Sequence, residues 1–113
     1  MHELAIAADI LSIVEDTAGK EEADIVTLIE LEIGQLSGIE LEALKMAMEV
    51  SVKGTIAETA ELKIDVIEGE VHCLDCGKDS SSSDLFSLCP SCGSFRLDIT
   101  RGKEMCVRSI VVE

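Results

Sequence analysis

Two short runs, Cys73-Leu-Asp-Cys76-Gly77 and Cys89-Pro-Ser-Cys92-Gly93, constrain this chain more than anything else in it. Two residues between paired cysteines let both thiolates turn toward one ion. The glycine that follows relieves a tight turn in which positive φ is often needed. Backbone N–H groups in such a turn bond to sulfur and offset the concentrated negative charge. Twelve residues separate the knuckles, enough for a short hairpin. Four thiolates complete a tetrahedron and leave no open position, so Cys73, Cys76, Cys89 and Cys92 are expected to hold one structural zinc. Two disulfides are the plain alternative, and the metal spacing with no export signal argues against them. Iron in a rubredoxin-like site is the other. Its redox role usually comes with an aromatic-rich setting, whereas Phe86 and Phe95 are the only aromatic residues here.

The rest of the chain fits around this module. Residues 72–96 are polar and rich in Cys, Ser, Asp and Gly, too poor in apolar residues to fold without a staple. Before them, Ile6, Ala7, Ile10, Leu11, Ile13 and Val14 recur at helical spacing, and Gly19 is the expected stop. Ile25, Thr27, Ile29, Leu31 and Ile33 share one face of a strand over residues 24–33. Leu41, Leu44, Met48 and Val52 mark a second helix ending near Gly54, and Leu62, Ile64 and Val66 alternate with charged residues in a second strand. The apolar pattern returns at Leu97 and Ile99, and again from Met105 to Val112. The order is helix, strand, helix, strand, metal module, strand. The expected fold is α+β: two helices packed on a small three-stranded sheet, with a zinc-ribbon module inserted before the last strand. Residues 1–70 and 98–113 form one α/β domain in this reading, and residues 71–97 the zinc ribbon.

Charge removes several functions. Nine Lys and Arg against 23 Asp and Glu give a formal net charge of −14. Such a chain repels phosphate backbones and anionic membranes, so no nucleic acid and no membrane is expected as partner. Stacking platforms for single strands are nearly absent as well. No apolar run approaches the ~18 residues of a membrane span, and the N-terminus lacks a basic leader. A cytoplasmic location is therefore expected, with basic protein surfaces or cations as partners. No nucleophile–base constellation or phosphate loop suggests an enzyme.

The opening Met1-His2-Glu3 presents a second donor set. The α-amine of Met1, the amide nitrogen of His2 and its Nδ1 can close fused five- and six-membered chelate rings. Tetragonal nitrogen coordination of this kind suits nickel(II) or copper(II). A fourth donor could be the Glu3 amide or carboxylate, a water, or a histidine from elsewhere. Bulky His2 should hinder removal of Met1. Glu3 also has a structural use, favouring the positive end of the first helix dipole.

Taken together, Met1-His2-Glu3, Glu32-Ile-Gly34, the two Cys-x-x-Cys knuckles, Gly102-Lys-Glu-Met105 and the closing Val107-Arg-Ser-Ile-Val-Val-Glu113 resemble the HypA family of hydrogenase-maturation nickel chaperones. The resemblance runs through the whole length. It implies a nickel domain of two helices on a three-stranded sheet, with the zinc domain inserted before the last strand. It also implies weak, reversible nickel binding by Met1, through its α-amine, and by His2, with Glu3 as a further candidate ligand. Implied partners are a nickel-binding hydrogenase-maturation GTPase and the hydrogenase large subunit, with urease served in some organisms. Two departures stand out. The extra nickel-binding histidine carried by an insertion in some archaeal relatives is missing. Only His72 occupies a place beside the knuckles, where other relatives have several histidines. The competing reading is a zinc-ribbon protein-interaction adaptor that transports no metal.

Overall fold

The structure, a computed structural model, describes residues 3–84 and 88–113. These residues fold into two compact units: 3–32 with Ile39–Asp65 and Cys106–Glu113, and Ile33–Gly38 with 66–84 and 88–105.

In the first unit, helix α1 spans Glu3–Lys20 and buries Ile6, Ala7, Ile10, Leu11, Val14 and Ala18, a stripe at spacings of three, four and seven. The helix does not stop at Gly19 as the sequence suggested. Glu22 takes the left-handed conformation (φ 53°) in place of a glycine. Around it, Ala23 N–H reaches back to Ala18 O (3.0 Å) and Glu22 N–H to Gly19 O (3.1 Å), the paired bonds of a Schellman cap. Strand β1 (Val26–Gly34) follows, and then α2 (Leu41–Ser51), which buries Leu44, Ala47 and Met48. Glu40 caps α2, its carboxylate accepting the Ala43 N–H at 2.7 Å.

Strands β2 (Glu61–Ile67) and β6 (Met105–Val112) flank β1, giving a three-stranded sheet in the order β2-β1-β6. Ile25 and Glu113 exchange both backbone bonds, so β1 and β6 run antiparallel. The core is aliphatic: Val14, Val26, Ile29, Leu31 and Leu44 are each almost fully enclosed. Burial in β1 falls on Ile29, Leu31 and Ile33 as expected, but at its start on Val26, not on Thr27. Arg108 of β6 reaches Asp65 of β2 at 2.6 Å and Glu32 of β1 at 3.7 Å, so one guanidinium joins all three strands. The Asp65 bond, with the charges of Asp65, Glu30 and Glu32, raises its pKa further.

The second unit is a three-stranded antiparallel sheet in the order β4-β3-β5, from β3 (Glu70–Cys73), β4 (Asp79–Ser81) and β5 (Leu97–Arg101). β3 places Val71 opposite Ser80 and Ile99, and Cys73 opposite Leu97. Among the described residues its buried apolar groups are few: Ile33, Leu36, Val71, Cys73 and Cys89. Three backbones cross tightly in this unit. Gly34 N–H bonds to Glu104 O (2.7 Å), Leu36 N–H to Gly102 O (2.7 Å), and the Gln35 side chain accepts the Gly69 N–H (3.1 Å). The three crossing points are glycines because a Cβ at Gly34, Gly69 or Gly102 would meet backbone atoms of another segment. Both units come from one chain whose last strand, β6, follows the inserted sheet, which is the α+β order expected.

Candidate metal centre

The two knuckles repeat one backbone pattern. Cys73 N–H bonds to Lys78 O and Cys89 N–H to Ser94 O, each at 2.9 Å. Gly77 N–H returns to Cys73 O (2.9 Å) and Gly93 N–H to Cys89 O (2.8 Å). Both glycines have φ 74°, and a Cβ on either would meet nothing within 4 Å. The left-handed backbone, not lack of space, is why glycine follows each knuckle.

This folding brings four sulfurs together. The Sγ atoms of Cys73, Cys76, Cys89 and Cys92 all lie within 4.8 Å of one another. The Cys73–Cys92 separation is 3.6 Å and the Cys76–Cys89 separation 3.7 Å. A disulfide needs about 2.0 Å. Four sulfurs around zinc at about 2.3 Å define a tetrahedron with edges of about 3.8 Å. The donor set fits zinc and not two disulfides. Cys73 and Cys89 are buried while Cys76 and Cys92 are exposed, so one side of the centre faces water.

Electrostatics agree with a cation at the centre. The Cys92 and Ser91 amides lower the Cys89 thiol to about 6, and the Cys76 amide lowers Cys73 in the same way, with Cys76 N–H lying 3.4 Å from Cys73 Sγ. The Ser94 amide pulls Cys92 down, but the Cys73 sulfur, burial and the other thiols outweigh it and push Cys92 up to about 12. Cys76 also rises, because burial and the sulfurs of Cys73 and Cys89 overcome the pull of the Lys78 amide. Without a metal, four crowded sulfurs cannot all ionise. A divalent ion removes that conflict.

A clamp outside the sulfurs joins the knuckles. Asp75, inside the first, accepts from the Ser94 hydroxyl and pairs with Arg96 at 2.8 Å, and Arg96 N–H bonds to Ser94 Oγ at 3.0 Å. The sequence reading passed over these three residues; a carboxylate inside one Cys-x-x-Cys and an Arg just after the other was the available sign. His72 is not turned to the metal set: its Nδ1 lies 2.7 Å from Asp79 Oδ1, its cross-strand partner in β4. The fifth cysteine, Cys106, is exposed on β6. Of the proposed nickel donors, Met1 and His2 lie outside the described residues, and Glu3 opens α1 in its first turn. Three acidic residues of the first unit have structural partners: Glu40 caps α2, Glu42 pairs with Lys45 at 3.2 Å, and Asp65 binds Arg108.

Residues 1–112 match the family model described as "Hydrogenase/urease nickel incorporation, metallochaperone, hypA". The chain belongs to the HypA family. HypA relatives of similar length include the hydrogenase maturation factor HypA of Parabacteroides distasonis, 44% identical over all of this chain and 98% of that one. The HypA of Aquifex aeolicus is 40% identical over the same shares. Among solved structures, a solution structure of HypA protein is similar with a TM-score of 0.70 and 25% identity, covering 100% of this chain and 97% of that one. The Ni metallochaperone HypA from Helicobacter pylori shares the fold at TM-score 0.68 and 24% identity, covering 99% of this chain and 97% of its own. The family, the two-helix α+β fold and the four-cysteine centre all agree with the sequence reading. No helix among the described residues is long and apolar enough to cross a membrane.

Proposed function

We propose that this chain is a nickel metallochaperone for hydrogenase maturation, with zinc as a structural ion and nickel as cargo. The observation that carries the reading is the family match over residues 1–112, together with a closed four-sulfur centre that leaves no position for cargo. Cys73, Cys76, Cys89 and Cys92 hold the zinc and fix the fold of the second unit. The cargo must bind elsewhere. The α-amine of Met1 and the amide and imidazole of His2 are the proposed donors, with Glu3 as a further one.

The start of α1 supports this placement. The first N–H groups of a helix have no intrahelical acceptor. An amide near Glu3 can therefore lose its hydrogen to a metal without breaking a helical bond, so nickel binding leaves the core of the first unit intact. The ion is then held at an exposed terminus, from which a docked partner can take it by ligand exchange. The proposed partners are the nickel-binding maturation GTPase and the hydrogenase large subunit, approached in a reducing cytosol that keeps the thiols free for zinc. The zinc-ribbon adaptor remains the competing function, and nickel separates the two. Metal analysis of the purified chain is expected to find one zinc, and added nickel is expected to bind reversibly at one site. Changing His2→Ala should remove that nickel and leave the zinc. A chain that takes up no nickel is an adaptor; a His2→Ala chain that binds nickel as tightly as the parent carries its cargo elsewhere.

A further inference from the structure

The first unit holds a groove that neither the zinc centre nor the proposed nickel donors use. It opens between the C-terminal half of α2, the turns over 52–60 and the start of β2, with a volume of about 490 Å³. Cavities of about 300–1,000 Å³ are the size that holds small molecules. The floor is apolar, formed by the buried side chains of Ile29, Met48 and Ala57. The wall is stitched in place. The Thr55 hydroxyl donates to Val52 O (2.7 Å) and accepts the Ala57 N–H (3.1 Å), and Ala60 N–H bonds to Ala57 O (3.0 Å). Val26 N–H, at the start of β1, holds Ile56 O at 3.0 Å. The groove is therefore pre-formed.

Its lip carries both signs of charge. Lys45, Glu49 and Lys53 line it at a spacing of four residues, the spacing at which helical ion pairs form. That pairing is not made. Lys45 pairs with Glu42 instead, at 3.2 Å, and among the described residues Glu49 and Lys53 have no ion-pair partner. Glu58, from the turns, also lines the groove and is likewise unpaired. Glu49 lies in the last turn of α2, where the helix dipole also favours a cation.

These features discriminate between ligands. An internal protein segment offers an apolar side chain but no backbone charge. A fatty acid or an apolar amine offers one sign only. A free α-amino acid carries an ammonium and a carboxylate on one carbon, beside its side chain. Neighbouring charges of opposite sign above an apolar floor complement that arrangement. We propose that this groove binds a free α-amino acid with a large apolar side chain, of the size of leucine or methionine. The side chain lies on Ile29, Met48 and Ala57, the ammonium meets Glu49 and Glu58, and the carboxylate meets Lys53. The lip charges are exposed and hold the ligand modestly, so the complex is weak and reversible, with a dissociation constant of roughly 0.1–1 mM.

The test is NMR titration of the isotope-labelled, zinc-loaded full chain with L-leucine. Saturable shifts are expected at the amides of Met48, Glu49, Lys53, Ala57 and Leu62, with the zinc retained. Glycine, which lacks the side chain, isoamylamine, which lacks the carboxylate, and 4-methylpentanoate, which lacks the ammonium, should each bind tenfold or more weakly. Glu49→Gln and Lys53→Gln should each weaken leucine threefold or more at unchanged melting temperature, because both side chains are exposed. Three results each overturn the proposal: no saturable shift up to about 10 mM leucine, a one-charge analogue that binds as well as leucine, or indifference to either charge variant. N-acetyl-leucine amide binding as tightly as leucine overturns it too, and assigns the groove to an apolar side chain of a partner protein.

Discussion

Two glycine-to-alanine changes should move stability in opposite directions, for reasons visible in the structure. A Cβ at Gly34 would run into the carbonyl carbon and oxygen of Gly102 and come within 2.7 Å of Lys103 N. All three are backbone atoms, pinned by the Gly34–Glu104 and Leu36–Gly102 hydrogen bonds, so no side chain can swing away. Relief requires breaking that crossing, and Gly34→Ala should cost about 3 kcal/mol or more, the upper range for overpacking. Gly19 is the opposite case. It lies in the last turns of α1, and a Cβ there would meet nothing within 4 Å. Gly19→Ala should add about 0.5–1 kcal/mol through helix propensity alone. For a chain of this size 1 kcal/mol moves the melting temperature by about 4 °C. Gly34→Ala should therefore melt about 12 °C or more below the parent, and Gly19→Ala about 2–4 °C above it. Circular dichroism of the zinc-loaded proteins reads both. A Gly34→Ala protein that melts within 4 °C of the parent would refute the close backbone crossing.

Three further outcomes follow from the caps and the sulfurs. Glu22→Gly should stabilise the chain by about 1 kcal/mol, because the left-handed conformation costs a side chain about that much; an unchanged melting temperature argues against the Schellman cap at α1. Zinc binding at pH 7 should release at least two protons per chain, since the Cys76 and Cys92 thiols are raised and remain protonated without metal while zinc requires thiolates. Zinc affinity should then fall as pH falls, which calorimetry in buffers of different ionisation enthalpy can follow, and release of less than one proton contradicts four-thiolate ligation. Asp75→Asn removes an ion pair that is partly solvated, so it should cost under about 1 kcal/mol yet speed zinc loss to a chelator, because the carboxylate bridges the knuckles; an unchanged loss rate would show that the clamp does not hold them.

The metal centre was legible because its logic is covalent and local: two residues between cysteines and a glycine after them leave few other uses. The helices were legible through the periodic burial of Ile6, Ile10, Val14 and Leu44, Met48. Other features depend on tertiary context. β3 and β4 are only four and three residues long and mostly polar, so no alternation announces them; the ladder beside the sulfur cluster makes them strands. The end of α1 was misplaced because its left-handed residue is a glutamate, held there by the Ala23 and Glu22 hydrogen bonds. Val26 is buried out of phase with Ile29 and Leu31, a packing detail that the alternation of β1 does not carry. Val66 continues the alternation of Leu62 and Ile64 yet is 49% exposed, while its neighbour Asp65 is half-buried where it binds Arg108.

The transported nickel ion, on the function proposed above, is bound by the free amine of Met1 together with His2, apart from the zinc centre. Calorimetric titration with nickel on the native, N-terminally acetylated and one-residue-extended chains tests it most directly. Acetylation removes the amine as a donor, and an extension turns it into a peptide nitrogen and displaces the new amine from the original chelate. Neither change touches Cys73, Cys76, Cys89 or Cys92, so zinc content and melting temperature should match the parent in all three. Nickel should bind the native chain at one site, with protons released from the amine and amide, and that binding should be lost in both blocked forms. Nickel bound with undiminished affinity by both blocked chains would rule out ligation by the Met1 amine.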